Sequence, residues 1–183
     1  LILIEKVVLS EGARIGHFNT IRSFDALIMG EYSKIGNNNY MTGIGSRSKK
    51  HFTTEPIRIA ELRLGTHSSI TGRHFIDCCN LVEIGDFSIV AGAGSQILTH
   101  AIDIRENRQR SAPVRIGKYC FVGTGSVILR GAQLPDYSVL SANSTLSKAY
   151  DATYYIYSGV PAQPTKELDH SSKFFSRTHG YVE

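Results

Sequence analysis

The 183 residues leave room for one domain and little more. Lys and Arg number 20 against 16 Asp and Glu, and a net charge of +4 is too small at this length to point to nucleic acid or a membrane surface. Hydrophobic residues, at 42%, suffice for a core; no apolar run approaches the roughly 20 residues of a membrane span; and three cysteines, Cys78, Cys79 and Cys120, cannot build a disulfide framework, which fits a reducing compartment such as the cytoplasm.

The chain opens on Leu1 instead of Met, so residues ahead of it are expected; LILIEKVVLS lacks a basic lead and does not read as a signal peptide. Aliphatic residues then recur at every sixth position: Ile15, Ile21 and Leu27, followed after a two-residue shift by Met29, Ile35 and Met41. Residues 46–56 (SRSKKHFTTEP) break the period. It resumes at Leu64, Ile70, Ile76 and Val82, shifts again to Ile84 and Val90, and is broken a second time by residues 100–113 (HAIDIRENRQRSAP). Both interruptions are polar, charged and end in Pro, the type of excursion that carries binding and catalytic groups on a rigid scaffold. The longest run follows, Ile116, Val122, Ile128, Leu134, Leu140 and Leu146, before the chain leaves the repeat through AYDATYYIYSGVPAQPTKEL and KFFSR, where a short helical segment is expected.

Two further regularities share the period. Glycine follows the aliphatic residue in Ile15-Gly16, Ile35-Gly36, Leu64-Gly65, Ile84-Gly85 and Ile116-Gly117, and a small polar residue recurs four places after it, at Asn19, Ser33, Ser68, Ser88, Ser126, Ser138 and Ser144. Glycine at a fixed phase marks bends. Period six is neither helical nor simple strand alternation; it suits a short strand and a turn, three of which close one triangular coil. Stacked coils then bury one aliphatic column, as in any solenoid. The predicted fold is all-β, a single-stranded parallel β-helix over residues 1–166 with two loop excursions and a C-terminal extension, 167–183. A β-sandwich with Gly-rich turns is the competing architecture.

The segment VRIGKYCFVGTGSVILRGAQLPDYSVLSANSTLSK, followed by YSGVPAQPTKEL, resembles the C-terminal half of the hexapeptide-repeat acyltransferases, and the likeness extends from about Ile15 to Leu168. It implies a left-handed β-helix, a homotrimer with active sites between subunits, and transfer of acetyl from acetyl-CoA to a hydroxyl of a sugar or polysaccharide precursor. An amino sugar or small amine as acceptor, or a non-catalytic β-helix acting as a binding or assembly scaffold, are the alternatives.

In that family a histidine at the start of the excursion is the general base, and the phrase AGAGSQILTHAIDIREN puts His100 there. An imidazole titrating near ~6.5 suits deprotonation of an acceptor near neutrality. Its orienting partner is not readable; Asp103, near in sequence, is a candidate for that place and for contact with the acceptor. The resemblance further implies pantetheine contacts at Thr124 and Ala142, cations toward the CoA phosphates at Lys148 and Lys166, and an acceptor pocket reached by Arg73 and His74. Around Ala142, the segment Leu140-Ser141-Ala142-Asn143-Ser144 departs from the family's common Ile-Gly-Ala-Gly-Ser at Leu140, Ser141 and Asn143. Arg105, Arg108 and Arg110 fit either an anionic ligand or a solvated loop face. His17, His51, His67, His170 and His179 have no supporting context. No metal is expected: the carbonic anhydrases with this repeat use three histidines, two of them five residues apart, whereas no histidine lies five residues from His100, and Cys78-Cys79 lacks the spacing of a zinc pair.

Overall fold

A computed structural model describes residues 1–182. Short parallel strands wind around a three-sided prism, each coil giving one strand to each side. Face one stacks Ile2–Leu3, Thr20–Arg22, Tyr40–Thr42, Phe75–Asp77, Gln96–Leu98, Val127–Ile128 and Thr145–Leu146. Face two stacks Lys6–Leu9, Ala26–Met29, Glu61–Leu64, Val82–Ile84, Val114–Ile116 and Gln133–Leu134. Face three runs from Arg14–Ile15 and Lys34–Ile35 through Ser69–Ile70, Ile89–Val90, Phe121–Val122 and Val139–Leu140 to Tyr155–Gly159, with Ala162–Glu167 added antiparallel at its edge. A sandwich would need two antiparallel sheets, so that alternative is excluded.

The six-residue period is the stacking register. On face one Ile21, Met41, Ile76, Ile97, Ile128 and Leu146 lie directly above one another, and on face three Ile35, Ile70, Val90, Val122 and Leu140 do the same. All are buried in one continuous apolar column, each contributing about 1.5–3 kcal/mol. The two-residue shifts also have a structural origin. Face two strands such as Ala26–Met29 and Val82–Ile84 send two alternate residues inward, so Leu27 and Met29, or Val82 and Ile84, are both core. The recurrent small polar residues are buried at the corners, where Ser33 and Ser68 donate to the carbonyls of Gly30 and Gly65 at 2.7 and 2.8 Å.

Between faces two and three, one residue per coil takes a left-handed conformation: Tyr32, His67, Phe87, Tyr119, Tyr137 and Tyr154, with φ of 53–59°. Left-handed φ costs a non-glycine residue roughly 1–2 kcal/mol. Here the cost is offset by stacking, because successive rings lie 4.7–5.5 Å apart, a geometry worth about 0.5–1.5 kcal/mol per pair. Gly12 holds the same place in the first coil, where a Cβ would collide with the Tyr32 ring.

Where a short helical segment is expected, the C-terminal extension contains, among the described residues, one 3₁₀ turn, Lys173–Phe175. It doubles back along the aromatic column: His170 stacks on Tyr154 at 3.8 Å, Phe175 meets Tyr137 and Tyr154 edge-on, and Tyr119 Oη donates to the Arg177 carbonyl at 3.1 Å. His67 and His170 are therefore rungs of this column.

Candidate functional site

Both excursions leave the prism at the same edge, where face one ends and face two begins. The first runs from residue 43 to 60; the second forms the hairpin His100–Asp103 with Arg108–Ser111. They brace each other, with Glu55 accepting from the Ser111 N–H at 2.9 Å and Gln109 Nε2 lying 3.4 Å from His51 Nδ1. His100 stands at the base of this pair, where a strand of face one stops and the hairpin begins.

Beneath it, one coil earlier, lies Asp77. Its side chain is 3% exposed, that of His100 36%, and His100 Nδ1 sits 2.6 Å from Asp77 Oδ2. The carboxylate is held by the corner itself: Oδ2 accepts from the backbone N–H groups of Thr99 (2.9 Å) and His100 (3.0 Å), and Oδ1 from that of Cys79 (2.9 Å). Burial alone would raise the Asp77 pKa, but the bonds from His100 and Cys79 outweigh it and hold the group below its ordinary value. Being ionised, Asp77 can only accept, so Nδ1 carries the proton and Nε2 is the free base. The hydrogen bond to Asp77 raises the His100 pKa above that of a free imidazole, against the opposing effects of burial and of Arg58.

Asp77 is thus the orienting group that sequence reasoning missed, and Asp103 is not. Asp103 belongs to the hairpin turn, accepting from the Glu106 N–H at 3.1 Å and facing Arg110 Nε at 3.8 Å. Two other residues escaped notice. Phe52, from the first excursion, meets the His100 ring edge-on at 6.0 Å. Arg58 is buried beneath it, 4.4 Å from the Phe52 ring centre, and donates to the carbonyls of Ile44 (2.5 Å), Gly45 (2.6 Å) and Cys79, pinning the excursion to the coil.

His74 is corrected as an acceptor-pocket residue. It is 2% exposed and caps the corner, accepting from the Ser95 N–H at Nδ1 (3.2 Å) with Nε2 3.0 Å from the Thr71 hydroxyl. Burial lowers its pKa, as befits a neutral structural histidine. It occupies the rung held by Asn39 one coil below, whose Oδ1 accepts from the His74 N–H at 3.0 Å. Arg73, beside it, is exposed at the corner with φ of 61°.

Thr124 and Ala142 line that same corner, between faces three and one, in successive coils. Their backbone N–H groups form no hydrogen bond among the described residues, and Gly123 packs so closely that a Cβ would lie 2.5 Å from Ala142 N. His100 is on the opposite edge of face one, the edge that also carries Lys148 two coils higher. Lys148 is exposed, with Nζ 5.0 Å from the Tyr150 ring centre; Lys166 is exposed on the edge strand of face three.

Asp77, Cys79 and His100 offer potential metal-binding atoms within 4.8 Å of one another. The donor set fits a metal poorly. Oδ2 is already filled by backbone and imidazole N–H groups, and burial, followed by Asp77, pushes the Cys79 thiol far above its ordinary range, keeping it protonated where a metal needs thiolate. Cys78, Cys79 and Cys120 are all free and buried.

No family model and no curated protein sequence matches the chain. Solved structures do. A maltose O-acetyltransferase from Clostridium difficile 630 aligns at a TM-score of 0.61 and 20% identity, over 77% of this chain and 69% of that one. A hexapeptide-repeat acetyltransferase of Vibrio cholerae, solved with acetyl coenzyme A, aligns at 0.54 and 20% over 87% and 72%. A Bacillus cereus N-acyltransferase, in complex with dTDP-4-amino-4,6-dideoxyglucose and coenzyme A, aligns at 0.55 and 15% over 90% and 84%. What this chain shares with these acyltransferases is the fold, the left-handed parallel β-helix of hexapeptide repeats.

Proposed function

We propose that the protein transfers acetyl from acetyl-CoA to a hydroxyl of a sugar or polysaccharide precursor, with His100 as general base. The observation that carries this reading is the 2.6 Å contact between a half-exposed imidazole and a buried carboxylate at the root of two excursions. Acetyl-CoA brings the acyl group already activated as a thioester, so the chain's own task is alignment and proton transfer. Nε2 of His100 takes the acceptor's proton, and Asp77 stabilises the imidazolium that forms, a division of labour commonly worth about 10²–10⁴ in rate. The unpaired N–H groups of Thr124 and Ala142 suit the amide carbonyls of a pantetheine arm, and Lys148 and Lys166 suit its phosphates. His100 and the Thr124–Ala142 corner flank opposite edges of face one, which favours a homotrimer in which one subunit's corner faces the next subunit's imidazole. Three buried free thiols favour the cytoplasm.

The test is free-thiol release from acetyl-CoA with a panel of sugars, followed by hydroxylamine treatment of the product. Acceptor-dependent release and a hydroxylamine-labile acetyl group are expected. A hydroxylamine-stable product would make the acceptor an amine. Absence of release, with no shift in Tm at millimolar CoA, would leave a scaffold.

A further inference from the structure

Between the two excursions lies a cleft of about 340 Å³, within the range of small-ligand sites. Two of its lining residues link it to His100: Phe52 meets the imidazole edge-on, and Ile102 lies two residues beyond His100 on the same strand. Its charged and titratable lining is one-sided. Lys50 and His51 face it from the first excursion and Arg108 from the hairpin, and no carboxylate lines it.

None of the acids of the excursions lines the cleft. Glu55 holds the Ser111 N–H and, at 2.5 Å, its hydroxyl; Asp103 holds the hairpin turn and Arg110; Glu106 stands on that turn outside the lining. Lys50 and Arg108 enter no ion pair among the described residues. Two cations on different excursions, brought to one cleft without counter-charge, match a ligand that carries the missing negative charge.

We infer that the acceptor is an anionic sugar, bearing a carboxylate or a phosphate, held by Lys50 and Arg108; this rests on the acetyl-transfer reading above. Glucuronic acid, glucose 6-phosphate and glucose are the probes, titrated calorimetrically into the full chain at low salt. At least one of the acids is expected to bind about 10-fold more tightly than glucose, and the two acids separate carboxylate from phosphate recognition. The exposed double substitution K50Q/R108Q should erase the difference with Tm unchanged. Equal affinity for all three sugars, or an advantage that survives the double substitution, overturns the inference. Binding is read without turnover, so the two readings fail separately. Anion-selective binding with no acetyl transfer to any sugar sinks the catalytic reading alone, whereas acetylation of glucose as efficient as that of both acids sinks the anionic acceptor alone.

Discussion

Asp77→Asn isolates the pairing on which the candidate site turns. The substitution keeps the shape of the side chain but removes the charge that His100 Nδ1 addresses at 2.6 Å. A hydrogen bond to an ionised group is worth about 1.5–3 kcal/mol. The imidazole side chain is 36% exposed, so solvent screening places this one near the lower end, about 1.5–2 kcal/mol, or roughly 10–30-fold in turnover. The pH dependence supplies an independent sign. Asp77 is depressed and His100 raised in the folded protein. The pair therefore stabilises the fold fully between the ordinary carboxylate and imidazole values, about 3.9 and 6.5. That contribution fades as pH falls through the lowered Asp77 value or rises through the raised His100 value. In Asp77→Asn only burial and Arg58 still act on the ring, both against its charge, so the acid limb of the rate profile should move to lower pH while the plateau drops. Thiol release measured across pH, well below the Tm of both proteins, reads both effects. Turnover within twofold of the parent with an unmoved acid limb would refute the assignment of Asp77 as the positioning residue.

Other substitutions separate scaffold from chemistry. His74→Ala leaves the Ser95 N–H without its acceptor and the Thr71 hydroxyl without its imidazole partner. It should lower unfolding free energy in urea by about 1–3 kcal/mol without changing the KM of either substrate, and a KM effect without a stability loss would return His74 to the pocket. Ile128→Ala opens a cavity in the column between Ile97 and Leu146 and should cost about 2–5 kcal/mol by the same titration; a loss below 1 kcal/mol would contradict the stacked core. Chelators should leave turnover unchanged, because the Asp77–Cys79–His100 set is better satisfied by protons than by a cation; activity lost to chelation and restored by zinc would make it a metal centre.

The column was legible because a solenoid repeats its environment: every sixth residue meets the same interior, so Ile116 through Leu146 display the fold in one line of text. The two-residue shifts were visible but not their cause, since alternate residues of a face two strand both pointing inward is a property of the stacked coil. The candidate His100 came from the family resemblance, which puts a histidine at the start of the excursion. Asp77 was not, because it lies 23 residues upstream and reaches the imidazole only when one coil settles on the last. Asp103 was nearer in sequence and wrong for the same reason: a hairpin turn spends its acid on its own backbone. His74 appeared chemically promising, yet it fills a rung that asparagine or serine fills in neighbouring coils. The aromatic column escaped because its members, Tyr32, His67, Phe87, Tyr119, Tyr137 and Tyr154, are unevenly spaced in sequence, two of the intervals holding an excursion, and only coil stacking aligns them.

The central claim is that His100, oriented by Asp77, removes the acceptor's proton while the corner carrying Thr124 and Ala142 binds the donor. Turnover and CoA affinity measured side by side on His100→Ala test it most directly. The account predicts a fall in thiol release of at least about 10² with CoA affinity nearly intact. Near-parental turnover would contradict it.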